Sequence, residues 1–329
     1  GMVKLVSTDG QIAEGMGTKK DNGMSGIGQL EQYISVSHAT NIVLAIRAER
    51  APVGFDSIYS SMMFSSSYEN ILVEHKNSFS SLFNRARLEL STDENISNEE
   101  LLLKSYDGEV DTRLIEKMAD FGRYLLISSS IGCHYPINLQ GVWNGDYSPA
   151  WGGTYFNNEN IQMAYWQACR GGLPEALLPF FELYDSFKPD FRENAKKLYG
   201  CRGLLRPLFM DNDTGKKKNL QSHVLYWTGS SAWISAMYYE YYSFTKDLEF
   251  LRTRAYPFMK ECAEFYEDFY VYDNNGKLKS YPSNSPENQA NGTFEGAGKL
   301  SISINATMDF ALLKELLTNL VASASLLEV

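Results

Sequence analysis

The sequence predicts a mainly α-helical protein that opens in the tail of a β-rich domain. Three observations carry this. Residues 1–55 are rich in Ile and Val, alternate in part, and are interrupted by Gly-rich turns. From about Ser67 onward, apolar residues recur at the spacing of amphipathic helices. Between the helical stretches lie three long loops, 131–157, 200–228 and 272–305, of a length that tends to carry function in compact helical domains. Helix pairs joined by such loops suggest an α/α toroid, in which loops at one end build a pocket.

The elements follow in order. "QYISVSHATNIVLAIRAE" reads as strands and turns, but residues 1–55 are too few for a whole sandwich and read as the C-terminal part of a β-domain. Residues 56–110 form a linker-helix region, where "YENILVEHKNSFSSLFNRARLEL" spaces Leu72, Phe79, Leu82, Phe83 and Ala86 helically. The helical domain proper spans 111–329. It opens with "DTRLIEKMADFGRYLLISSS", with Asp111 as N-cap and a stripe of Leu114, Met118, Phe121 and Leu125. Further helices are expected over 158–171, 174–198, 229–245, 252–271 and 306–327.

Bulk properties narrow the function. A chain of 329 residues with 44% hydrophobic and 21% charged content builds a large core and is not disordered. The net charge of −10 repels phosphate backbones, and "KKK" at 216–218 is too short to override it, so nucleic acid is not an expected partner. No uninterrupted apolar run reaches about 18 residues, so no membrane span is expected. Gly1-Met2 reads as a tag remnant, and no signal peptide opens the chain. Cys133, Cys169, Cys201 and Cys262 lack C-x-x-C spacing, so neither a metal nor another cofactor is expected. Aromatics at 13% suit carbohydrate surfaces and equally suit helix packing.

Three segments stand out for chemistry. "INLQGVWNGDYSPAWGGTYFNNENIQMAYW", 137–166, carries Trp143, Trp151 and Trp166 with the amides Asn138, Gln140, Asn144, Asn157, Asn158, Asn160 and Gln162. Amides both donate and accept, so they either grip sugar hydroxyls or satisfy the loop's own backbone. "HVLYWTGSSAWISAMYYEYY", 223–242, offers His223 as a pocket residue or a packed one, and an aromatic cluster better explained by helix packing. "SYPSNSPENQ", 280–289, holds one acid, Glu287, between Pro286 and Asn288. Such an acid either faces water or is held rigidly over a pocket for proton transfer.

Taken together and in this order, the segments resemble glycoside hydrolase family 95, the α-L-fucosidases and their relatives. "PINLQGVWN" is similar to the family's Pro-x-Asn-Leu-Gln-Gly-x-Trp-Asn stretch, "NENIQMAYW" to its Asn-x-Asn-Leu-Gln-Met-Asn-Tyr-Trp stretch, and "SPEN" to the Ser-Pro-Glu-Asn that carries its general acid. "FGRYLLISSS", "FTKDLEFLRTRAYPFMKECAEFYEDF" and "TMDFALLKELL" sit where the family has matching helices.

The resemblance implies an inverting glycosidase on an (α/α)6 barrel preceded by a β-domain, with 111–329 as the barrel's N-terminal half. Its substrate would be a glycan or oligosaccharide bearing α-linked L-fucose or a related sugar such as L-galactose. Glu287 would be the acid, and Asn158 and Asn160 would hold the attacking water. Asn138, Gln140, Trp143, Trp151, His223 and Asn288 would line the sugar site. Two amides two residues apart share a direction only on extended backbone, so 157–160 is expected to be extended. Aromatic surroundings would raise the pKa of Glu287 by desolvation. The family's activating Asp lies well downstream of the acid, and neither Asp268 nor Asp309 is assigned its role, so the chain as given is expected to be inactive by itself. The apolar stripe Leu312, Leu313, Leu316, Leu317, Leu320 and Val321 would then be covered by a second copy in a homodimer. The family also implies a periplasmic or extracellular location. The rival readings are a non-catalytic carbohydrate-binding remnant, and another glycosidase or a lyase on an α/α toroid.

Overall fold

The computed structural model describes residues 2–18, 30–47, 56–57, 60, 62, 67–90, 96–108, 110–140, 144, 149–218, 222–291 and 299–329. The chain divides into two compact units, Gly1–Ser81 and Leu82–Val329.

In the first unit β1 (Met2–Thr8) pairs with β4 (Ile42–Arg47), and β2 (Gln11–Thr18) pairs with β3 (Leu30–Ser37). Both pairings are antiparallel; the β2–β3 register is unbroken, and that of β1–β4 shifts between Leu5 and Ser7. Asp9 ties the ends together: its Oδ1 accepts the N–H groups of Thr40 and Asn41, both at 2.9 Å. Ala45 is buried, while Ile12, Ile34, Leu44 and Ile46 are exposed.

α1 (Tyr68–Phe83) runs across the boundary at Ser81/Leu82. Leu72, Phe79, Leu82, Phe83 and Ala86 are half-buried, as the helical spacing predicts. α2 (Asn98–Tyr106) opens with a reciprocal capping box between Ser97 and Glu100. α3 (Thr112–Ser130) is capped by Asp111, whose carboxylate accepts from Arg113 N at 3.0 Å. Its buried face differs from the expected one. Met118 and Phe121 are exposed, and the buried residues are Arg123, Leu126, Ile127, Ser129 and Ser130. The cause is Arg123, which periodicity places outside. Its guanidinium donates to the carbonyls of Phe83 (2.8 Å), Leu82 (2.7 Å) and Gly171 (2.6 Å). It thereby satisfies carbonyls that the end of α1 leaves without helical partners.

The next stretches are more broken than periodicity suggests. β5 (Tyr155–Phe156) leads into α4 (Asn160–Tyr165) and α5 (Gln167–Arg170), which part at Trp166. The expected helix over 174–198 is a 3-10 turn at Pro174–Leu177, then α6 (Leu178–Ser186) and α7 (Lys188–Tyr199). The break falls at Phe187, because Pro189 lacks an N–H and its ring would collide with the carbonyl of Asp185 in a continuous helix. β6 (Phe209–Met210) pairs antiparallel with β5, setting Phe156 opposite Phe209. α8 (Ser222–Leu225) precedes α9 (Ser230–Thr245). α10 (Leu248–Phe250), capped by Asp247, runs through a π-helical turn at Leu251–Ala255 into α11 (Tyr256–Phe269).

Two short hairpins follow. β7 (Val271–Tyr272) pairs with β8 (Leu278–Lys279), and β9 (Ala290–Asn291) with β10 (Lys299–Leu300). α12 (Thr307–Leu327) closes the chain. It packs on α9 and α11, burying Leu312, Leu313 and Leu316. Leu320 is half-buried, and Leu317 and Val321 are exposed. It is long and apolar enough to cross a membrane, by length and composition only, and one face of it, with Asp309 and three leucines, is buried against neighbouring helices.

The core is aromatic. Phe181 and Tyr238 lie 4.5 Å apart, Tyr238 and Phe258 4.2 Å, and Tyr241 and Phe250 4.4 Å between centroids. The Tyr-rich run of α9 is therefore helix packing. Arg206 is fully buried in this core, its guanidinium 4.6 Å from the ring centroid of Tyr184 and 5.6 Å from that of Phe191. One arm donates to Ser230 O at 2.9 Å, and burial pulls the pKa below the usual arginine value.

Candidate active site

The segment after α3 is folded by its own amides. Asn138 Nδ2 donates to Gly153 O at 2.7 Å, and its Oδ1 accepts from Gln140 N at 2.9 Å. Gln140 Nε2 donates to Ala150 O at 3.2 Å, and Gln140 Oε1 accepts from Asn144. So Asn138 and Gln140 shape the loop. Their product is the exposed Trp151, which sits in the left-handed region at φ 53° with Gly152 and Gly153 following at 65° and 63°. Trp143 lies outside the described residues.

Residues 157–159 form a turn, and Asn160 is the first residue of α4, so the expected extended run ends at Phe156. Asn157 is the reason. This fully buried residue donates its backbone N–H to Leu208 O (2.6 Å) and its Nδ2 to Pro207 O (2.9 Å). Its Oδ1 accepts from Tyr184 Oη, and its carbonyl accepts from Gln162 Nε2 at 2.6 Å. Four bonds pull the backbone out of strand geometry. Asn158 follows on this fixed turn, half-buried, and its Oδ1 is buried with no hydrogen-bond partner among the described residues. A buried amide oxygen without a donor is costly, which singles this atom out on the turn. Asn160 is half-buried at the start of α4.

Glu287 and Asn288 are exposed. They sit on a tight turn closed by Asn288 N donating to Ser285 O at 2.7 Å, and Asn288 Nδ2 reaches Ser285 Oγ at 3.3 Å. The turn is rooted in buried structure. Ser283 exchanges backbone bonds with Ser303 at 3.0 and 2.7 Å, and Ser280 exchanges bonds with Asn305 at 2.8 and 3.0 Å. Beneath lies Asp309, 2% exposed, in the first turn of α12. Its Oδ2 accepts from Ser283 Oγ at 2.6 Å and Ser280 Oγ at 3.3 Å. Desolvation pushes its pKa up to about 6. Sequence reasoning passed over this residue as an anchor. The signal was faint: serines at 280 and 283, and an acid near a helix start.

His223 lies on α8; its side chain is outside the described residues. Its helix is tied down by Lys217, whose Nζ donates to Leu225 O and whose pKa burial lowers to about 7.

One buried cluster joins two of the three segments and the start of α12. Leu208, Val224 and Trp227 form its centre, with Phe156, Phe209, Trp233 and Met308 packed on it. Phe156 directly precedes the amide turn, Val224 directly follows His223, and Met308 precedes Asp309 at the root of the Glu287 turn. The cluster thus joins the residue before the amide turn, the aromatic segment and the first turn of α12, which carries Asp309.

Comparison with known proteins shows the family. Residues 67–329 match the model of the glycosyl hydrolase family 95 catalytic domain. "Alpha-L-fucosidase 2" of Arabidopsis thaliana is 32% identical over 270 residues, which are 79% of this chain and 32% of the relative. "Probable alpha-fucosidase A" of Aspergillus niger is 31% identical over 236 residues, 67% of this chain and 29% of the relative. The chain thus spans about a third of the length of these relatives. Among solved structures, "Putative kojibiose phosphorylase from human microbiome" superposes with a TM-score of 0.59 at 14% identity, covering 97% of this chain and 44% of that one. That likeness speaks for the fold alone: a partial (α/α)6 toroid preceded by β-structure. With 67–329 matched, the chain belongs to glycosyl hydrolase family 95.

Proposed function

We propose that the protein carrying this chain is an inverting glycoside hydrolase that releases α-linked L-fucose, or a related L-sugar such as L-galactose, from glycans. One observation carries the reading: Phe156 beside the amide turn, Val224 beside His223 and Met308 beside Asp309, the residue that bonds Ser283 and Ser280 below Glu287, share one buried cluster. The family membership and the fucosidase relatives support the sugar class.

In this reading Glu287 donates its proton to the glycosidic oxygen as the bond to the anomeric carbon breaks. Asn158 and Asn160 hold the water on the opposite face of the sugar. The unpartnered Oδ1 of Asn158 accepts one water O–H and turns a lone pair toward the anomeric carbon, and the proton that the water loses as the new C–O bond forms passes to the activating Asp that the family carries downstream of its acid. Acid and water-holding amides should then stand about 6.5–9.5 Å apart, as single displacement requires. In the same reading Trp151 and Asn288, both exposed, would contact the sugar, and Asn138, Gln140, Trp143 and His223 would line its pocket. The reading also carries a periplasmic or extracellular location, where such glycans occur.

The test uses the whole protein on two substrates, an α-L-fucosyl oligosaccharide and α-L-fucosyl fluoride. Glu287→Gln should lower kcat by about a hundredfold or more on the oligosaccharide and far less on the fluoride, whose leaving group needs little protonation. The first product observed by NMR should be the β-anomer. Equal losses on both substrates, or an α-anomer first, would overturn the assignment.

A further inference from the structure

We infer that Asp309 is the positioning residue of the Glu287 turn. The inference rests on the reading of Glu287 as the acid. An exposed acid on a Ser/Pro/Asn loop has no intrinsic reason to hold one geometry, yet acid catalysis needs its carboxyl fixed to within a fraction of an ångström. In this chain the fixing is done from below. Ser283 has one hydroxyl proton, and Asp309 Oδ2 accepts it at 2.6 Å. The same hydroxyl oxygen accepts the N–H of Ala306 at 2.9 Å. That N–H belongs to the residue capping α12, so Ser283 is held by the side chain of Asp309 and by the helix entry together. Ser280 Oγ makes the second bond to Oδ2, at 3.3 Å. With the backbone exchange between Ser283 and Ser303, the residue two before the Ser285–Asn288 turn is fixed by four bonds.

The choice of a carboxylate is informative. A buried acid costs more than a buried amide or hydroxyl, and the N-cap of α12, Ala306, has no side-chain cap bond from Asp309. Its Oδ1 is buried without a hydrogen-bond partner among the described residues, and burial together with the adjacent carboxylate pushes the phenol of Tyr270 up. The site thus accepts an electrostatic cost where a neutral side chain would serve packing alone. A carboxylate accepts two hydroxyl bonds at once, which orients both serines toward α12. No part of Asp309 is exposed enough to touch substrate, so it acts through the turn.

The leaving-group dependence of the rate separates positioning from mere structure. In the whole protein, Asp309→Ala and Ser283→Ala should lower kcat on the oligosaccharide by about ten- to a hundredfold. On the fluoride, kcat should fall less than about threefold, because the water-holding amides stand on a different loop. KM should change little on either substrate. Asp309→Asn, which keeps one acceptor oxygen, should recover part of the loss. Losses of equal size on both substrates, in a protein with an unchanged thermal midpoint, would overturn the inference while leaving Glu287 intact. Absence of the leaving-group split in Glu287→Gln itself would instead overturn the acid assignment, and this inference with it. If Asp309→Ala fails to fold, Ser283→Ala alone decides: no split there refutes the positioning role.

Discussion

Replacing Tyr184 by Phe removes one hydroxyl from a side chain with 0% exposure. That hydroxyl is the donor to Asn157 Oδ1. The aromatic ring remains, so its packing on Phe180 at 4.3 Å and the guanidinium of Arg206 at 4.6 Å are kept. The change isolates one bond. Asn157 Oδ1 is left buried without a donor, which costs about 1–3 kcal/mol. The turn does not unravel, because Asn157 still donates to Pro207 O and Leu208 O at 2.9 and 2.6 Å. It loosens, and Asn158 moves with it. A displacement of about 1 Å lowers kcat by up to about a hundredfold, with KM nearly unchanged. Urea unfolding and steady-state kinetics on the whole protein read the two effects separately. A double-mutant cycle with Asn157→Ala should be non-additive by about 1 kcal/mol or more, since both changes break the same bond. An additive cycle, or a Tyr184→Phe protein with unaltered stability and kcat, would refute the idea that this bond holds the amide turn.

Asp309 adds a pH dependence whose direction is set by its raised pKa of about 6, against an ordinary value of 3.8. The folded state favours the protonated form, so the contribution is full below about pH 4 and is lost as pH rises through about 6. The loss amounts to about 3 kcal/mol at most; Asp309→Asn should flatten that part of a stability–pH profile measured by urea midpoints, and parallel profiles would contradict it. Arg123→Leu should lower stability by at least about 2 kcal/mol by leaving the carbonyls of Leu82, Phe83 and Gly171 without their donor. Arg123→Lys should recover only part of that in thermal unfolding, because one ammonium does not span three acceptors as a guanidinium does.

Much of the helical layout was legible from spacing alone. The half-buried set on α1 and the cap at Asp111 follow from period and propensity, as does α9. The inward face of α3 was not legible, because its centre is an arginine whose burial depends on carbonyls from Leu82, Phe83 and Gly171. The break at Phe187 had a local signal in Pro189 that a long apolar period concealed. At the candidate site the stretches were legible and the bonds that hold them were not. The turn after Phe156 comes from Asn157 reaching Pro207, fifty residues away. The anchor at Asp309 comes from a serine twenty-six residues earlier. Neither pairing has a period, and an acid in the first turn of a helix ordinarily reads as a favourable charge at the helix dipole.

The bridge between Ser283 and Ser303 has a bearing on how such a protein can diversify. Both ends of the intervening segment are pinned at their base: one by Asp309 and the entry of α12, the other by the reciprocal backbone bonds. Glu287 lies close to one pinned end, whereas the β9–β10 hairpin lies farther out along the segment. Inserting residues within that hairpin lengthens a closed loop, and each doubling of its length costs only about 0.6 kcal/mol. Between such insertions and Glu287 stand the β9–β10 pairing and the bond from Asn288 N to Ser285 O that closes the turn. A lineage can therefore rewrite the stretch between β9 and β10 while the turn that carries Glu287 stays where the inner serines hold it.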